Sequence, residues 1–205
     1  MGRLLPRVLD TKYENILAQE RSLAKAVALA VIESKPITVW ELMIPILLLF
    51  NFFQFKRGRE TLALNFLFTK KLALEAAFEI VDKGKGKEEV REQIKETTAN
   101  ILAGDKQGVY SSKIRQKQMK EMDLLIDHYL RLLEAEGKDY PSLVRNSYQT
   151  REHYASFLQE LEKAEREVYQ AATQTVKTAT AREMASRMEE ATAKIRQAGM
   201  GKIFS

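Results

Sequence analysis

Residues 37–55 read ITVWELMIPILLLFNFFQF, and Lys56, Arg57, Gly58 and Arg59 follow at once. No other stretch of the chain is apolar on every side. A helix without a polar face needs either lipid or deep burial. The reading of this run therefore decides between a membrane-associated helical protein and a soluble bundle with 37–55 as its central helix.

Trp40 stands near one end of the run, where an interfacial aromatic belongs, and Phe50, Phe52, Phe53 and Phe55 crowd the other. Lys56, Arg57, Arg59, Lys70 and Lys71 then bracket its end with only Glu60 among them. Such a cluster suits anionic lipid headgroups better than a nucleic-acid groove. Length opposes a plain span, because nineteen residues at about 1.5 Å rise cover roughly 28 Å, short for a hydrocarbon core of about 30 Å. Glu41, Asn51 and Gln54 interrupt the run, and a carboxylate deep in lipid costs about 3 kcal/mol. Glu41 is near the end, however, and can snorkel. Pro45 removes one backbone bond and bends the helix. Two membrane forms follow: a span with the basic side cytoplasmic, which is slightly preferred, or a re-entrant helix dipping into one leaflet.

Around this run the composition is that of an ordinary helical protein. Apolar residues make up 45% of 205, with only four prolines and nine glycines, so neither a polytopic membrane protein nor a disordered chain is indicated. Ala, Leu, Glu, Lys, Gln and Arg dominate, and no alternating β-branched run appears, so the expected fold is all-α. The absence of cysteine excludes disulfides, thiolate nucleophiles and Cys-based metal sites. Net charge is +5, but acidic and basic residues interleave along most of the chain as on solvated helix faces. The first residues, MGRLLPRVLDTKYEN, carry neither the apolar core of a secretory signal nor a myristoylation pattern.

Breakers and caps divide the chain. A first helix runs from Asp10 or Thr11 to about Ser34, before Pro36, with Tyr13, Leu17, Ala24, Val27 and Val31 on one face. A third follows the apolar run, from Glu60 to about Asp82. Lys83-Gly84-Lys85-Gly86-Lys87 reads as a linker, separating an apolar N-terminal helical unit (1–83) from a cytoplasmic helical module (84–205). That module holds helices from Glu88 to about Ala103 and from about Ser112 to Glu136, then a new helix start at Asp139-Tyr140-Pro141. From about 150 to 197 no proline or glycine intervenes, which predicts one long helix or two nearly collinear ones. Its stripe of Tyr154, Phe157, Leu158, Leu161 and Val168 should lie against its own bundle, a second copy in coiled-coil fashion, or a partner. Glu165 falls inside this stripe and is expected at a seam edge, paired with Lys or Arg.

Catalytic chemistry is harder to find. The two histidines, His128 and His153, each stand beside a carboxylate and a tyrosine. Di-iron bundles place a Glu three residues before each such His, and here those positions are Leu125 and Thr150. Both histidines are therefore expected at an edge or surface. The glycine–lysine stretches lack the G-x-x-x-x-G-K-[ST] phosphate loop, and no nucleophile elbow is present. No cofactor, metal or small-molecule substrate is implied.

The functional expectation is a non-enzymatic scaffold at the cytoplasmic side of a bacterial inner membrane, binding a protein partner or a second copy of itself and touching anionic lipid through residues 40–71. The alternative is a soluble cytoplasmic adaptor or regulator with 37–55 in its core. A helical metal-binding protein ranks below both, as does nucleic-acid binding, for which no basic stripe with stacking aromatics exists.

Overall fold

The computed structural model describes residues 6–33, 58–106, 108 and 110–205. Trp40, Glu41, Pro45, Lys56, Arg57 and the whole 37–55 run lie outside them. Among the described residues all regular structure is helical: α1 (Pro6–Glu33), α2 (Gly58–Lys83), α3 (Lys87–Gly104), α4 (Ser112–Glu134), α5 (Tyr140–Tyr148), α6 (Arg151–Val176) and α7 (Ala179–Ile203). No helix among them is long and apolar enough to cross a membrane.

Local chemistry sets most boundaries. The side chains of Ser111, Thr150 and Thr178 accept hydrogen bonds from the backbone N–H groups of Ile114, His153 and Ala181, satisfying donors that a helix start leaves orphaned. Asp139 and Ser142 form a reciprocal capping box ahead of α5, with proline in the first turn. Gly137 has φ 152°, and a Cβ there would come within 2.6 Å of the Ser142 hydroxyl, so only glycine fits this turn. Gln149 (φ 64°, ψ −42°) forms a γ-turn, with the Thr150 N–H donating to the Tyr148 carbonyl at 2.7 Å.

Several of the neighbouring helices pack antiparallel. Tyr13, early in α1, meets Phe78, late in α2, with ring centroids 5.0 Å apart. The end of α1 at Glu33 and the start of α2 at Gly58 thus lie at the same end of the bundle. On α3 and α4, Lys87 pairs with Asp127 and Arg91 with Asp123. On α4 and α6, Ser111 meets Thr175, Lys117 pairs with Glu167 and His128 stacks on Phe157. One apolar core runs from Leu9 on α1 to Ile203 on α7, taking residues from both sides of the Gly84–Gly86 turn. Each large aliphatic side chain fully buried in it contributes about 1.5–3 kcal/mol.

The long terminal helix expected over 150–197 is instead a hairpin. Lys177 adopts the left-handed conformation (φ 55°), Thr178 caps the next helix, and α7 folds back along α6. Arg166 meets Glu189, Glu165 meets Arg196, and the rings of Tyr154 and Phe204 lie 6.1 Å apart, the register of antiparallel neighbours. Folded back, the apolar stripe of α6 and Ala181, Met184, Ala185 and Met188 of α7 are buried.

Candidate functional site

Helical periodicity carries several ionisable side chains into this core. Lys70 stands on the α2 face that buries Phe66, Ala73, Leu74 and Ala77; Glu121 stands beside Met122 on α4. Glu165 lies between Leu161 and Val168 on α6, and Arg196 one turn beyond Thr192 on α7. All four are buried, and Lys70 is only 2% exposed. Lys70 Nζ donates to Glu165 Oε1 at 2.9 Å, while Arg196 Nη1 donates to Oε2 at 2.6 Å and Nη2 to Oε1 at 2.8 Å. Glu121 stands 4.0 Å from the Lys70 ammonium, which also lies 4.0 Å above the Phe66 ring centroid. Beside them Tyr110 donates to Gln118, and Gln118 donates to the Thr69 hydroxyl at 3.0 Å, a buried polar chain bracing α2 against α4.

The environment drives the carboxyls apart. Burial alone would raise Glu165, but the Arg196 guanidinium and Lys70 ammonium overcome it and hold the carboxyl down at about 2. Glu121 has no such contact, and burial pushes it up to about 7. Glu20 on α1 is also buried; desolvation raises its carboxyl, and its Oε2 has no hydrogen-bond partner. The Tyr129 hydroxyl, also without a hydrogen bond of ordinary geometry, lies close enough to Glu20 to lower its carboxyl in part.

A second group of side chains adjoins the first. His128 Nδ1 and the Tyr148 hydroxyl are 2.7 Å apart, and the imidazole stacks on Phe157 at 4.4 Å between centroids. Burial, with the nearby charges of Arg196 and Arg131, lowers His128 to about 3, so it is neutral at physiological pH. The expectation of an edge or surface position is thus corrected for His128, because one face of its ring completes the aromatic packing of α4 on α6. His153 is exposed on α6, with Nδ1 3.1 Å from the Tyr148 carbonyl oxygen. Among the described residues no three His, Asp or Glu side chains converge on a metal position.

A groove of about 700 Å³ opens between α1, α6 and α7. Its walls include Leu23, Ala26, Leu158, Leu161 and Ile195, and its lining also takes in Glu20, His128, Tyr140, Tyr154 and Arg196.

Lys70, grouped with the basic flank of the apolar run, points instead into the core, while its neighbour Lys71 is exposed and pairs with Glu75 at 3.4 Å. Adjacent residues on a helix point about 100° apart, so one faces inward and the other outward. Arg59 is exposed in the first turn of α2. Tyr154, Leu158, Leu161 and Val168 are buried and Phe157 is half-buried, so the protein's own core takes up the stripe that was a candidate partner surface. Glu165 does pair with Lys and Arg, but in the interior rather than at a seam edge.

Glu20, Glu121, Arg196 and Lys12 were missed by the sequence reading. Lys12 donates from its buried ammonium to the carbonyls of Leu133 (3.0 Å) and Ala135 (2.7 Å), capping the end of α4. The available signal was register: Glu20 lies one turn from Ile16, Leu17 and Ala24, as Glu165 does from Leu161 and Val168. Compared with protein-family models, curated proteins and solved structures, the chain matches none.

Proposed function

We propose that this chain is a non-enzymatic helical scaffold that rests on the cytoplasmic face of a membrane through residues 37–55 and assembles a protein partner or a second copy there. The observation that carries the reading is the antiparallel packing of α1 on α2, which brings Glu33 and Gly58 to one end of the bundle. A single crossing by the intervening residues would separate these two ends by the thickness of a bilayer. Side-by-side packing therefore favours contact from one side, with Lys56, Arg57 and Arg59 among the headgroups. Lys70 does not belong to that basic set, since it is committed to Glu165.

Flotation of the full chain with vesicles tests this. The chain should float with vesicles rich in anionic lipid. At about 1 kcal/mol per basic residue, replacing Lys56, Arg57 and Arg59 by Gln should weaken binding roughly a hundredfold. Removing 37–55 and joining the flanks by a short Gly/Ser linker should abolish flotation while leaving the helical circular dichroism of the bundle. A full chain that stays with the soluble fraction, whatever the vesicle charge, refutes the membrane reading and leaves the soluble adaptor.

A further inference from the structure

Counting the charges of the buried cluster leaves one carboxyl over. Lys70 and Arg196 are two cations, while Glu165, Glu121 and Glu20 are three carboxyls. Glu165 holds both cations by direct contact, and Glu121 stands 4.0 Å from one of them. Glu20 is in no ion pair among the described residues, although it is only 7% exposed and its Oε2 is buried without a partner. Buried polar groups in folded proteins nearly always find a partner, so a carboxyl with no cation in contact and only the Tyr129 hydroxyl beside it asks what completes it.

The place of Glu20 answers in part. It belongs to the lining of the groove between α1, α6 and α7, whose volume of about 700 Å³ lies within the usual range for small-molecule sites. Leu23, Leu158 and Leu161 make the wall apolar, and the rings of Tyr140, Tyr154 and Phe157 add aromatic surface. An orphaned carboxyl in an apolar, aromatic-walled groove is the set of features that recognises an ammonium group on an apolar body. The carboxylate supplies charge-assisted hydrogen bonds, and the ring faces attract the cation.

We propose that this groove binds a protonated organic amine, with its ammonium on Glu20 and its apolar body along α1 and α7. An anionic ligand would bring a fourth carboxyl beside Glu20 and Glu121, whose own ionisation burial already opposes, whereas an ammonium favours the ionised form of Glu20. Arg196 already shares its charge with Glu165, which takes up one N–H on each of its terminal nitrogens. Lys194 and Lys202 line the mouth but are exposed, where solvent and salt screen them. The proposal does not depend on membrane contact, since every residue it uses lies in the described bundle.

Calorimetry on the full chain with three probes of one shape tests it: phenylbutylammonium, phenylbutanol and phenylbutyrate. The ammonium should bind at least about tenfold more tightly than the alcohol, and the carboxylate more weakly than either. Glu20→Gln keeps the side chain's shape and removes its charge, so it should erase the preference for the ammonium while leaving alcohol binding unchanged. Ala26→Phe, half-buried in the groove wall and away from the ion cluster, should weaken all three probes at least tenfold and guards against a Glu20 variant that fails to fold. The proposal is overturned if the wild-type chain does not bind the ammonium, or if phenylbutyrate binds as tightly. It is equally overturned if folded Glu20→Gln keeps the preference, or if folded Ala26→Phe binds as the wild type does.

Discussion

Glu165→Gln is the sharpest probe of the buried ion cluster, because it removes one charge and almost no volume. Glu165 accepts hydrogen bonds at 2.9, 2.6 and 2.8 Å from Lys70 and Arg196, and none of the three residues is more than 8% exposed. A neutral amide can still accept through one oxygen, but it leaves two buried cations with no carboxylate in hydrogen-bond contact, Glu121 standing 4.0 Å from Lys70 and Glu20 elsewhere in the cluster. Breaking a buried pair in this way costs about 3–5 kcal/mol. That is a large part of the roughly 5–15 kcal/mol by which domains are stable. Urea unfolding followed by far-UV circular dichroism measures it, with Lys71→Gln as the control. The Lys71–Glu75 pair spans one helical turn with both side chains about half exposed (49% and 46%), and such pairs contribute about 0.3–0.5 kcal/mol. The double variant Glu165→Leu/Arg196→Met should be more stable than Glu165→Leu alone, because it removes the cation that lost its contact partner and puts apolar volume in place of the pair, while Lys70 keeps Glu121 at 4.0 Å. A loss for Glu165→Gln no larger than that for Lys71→Gln would refute the reasoning, since the charges would then be effectively solvated.

Three further outcomes are expected. His128 is held down to about 3 by burial, against about 6.5 unfolded, so its full contribution is present above pH 6.5 and falls by up to about 1.4 kcal/mol per pH unit toward pH 3. Glu121, raised by burial to about 7, tilts the other way: its contribution is present at acid pH and lost as pH rises through 7. Urea midpoints of the wild type should therefore decline between pH 6 and 4 more steeply than those of His128→Phe, and parallel slopes would exclude a buried neutral imidazole. Gln149→Gly relieves a γ-turn that side chains rarely adopt and should raise the urea midpoint by the equivalent of about 1 kcal/mol; a lower midpoint would contradict the turn. Gly137→Ala should cost about 2 kcal/mol or more, since the new Cβ meets Ser142 Oγ at 2.6 Å and the Leu143 backbone nitrogen at 3.0 Å; an unchanged thermal midpoint would mean that the turn yields freely.

What the sequence determined by itself was the helical class and most helix limits. Gly137, Ser111, Asp139 and Thr150 act through hydrogen bonds and backbone angles within a few residues, so their effects can be read locally. The break after Val176 escaped that reading, because Lys177 enters the left-handed region without glycine and Thr178 resembles any other threonine of the Ala/Thr-rich tail. Periodicity marked Glu165 as a carboxylate in an apolar stripe, yet its two cations lie 95 and 31 residues away, and no local pattern reveals such partners. Only the fold-back of α7 on α6 supplies Arg196, and only the packing of α2 turns Lys70 inward while Lys71 stays in water. The same three-dimensional arrangement leaves Glu20 without a partner at the groove, because what each buried charge faces is decided by neighbouring helices rather than by its own.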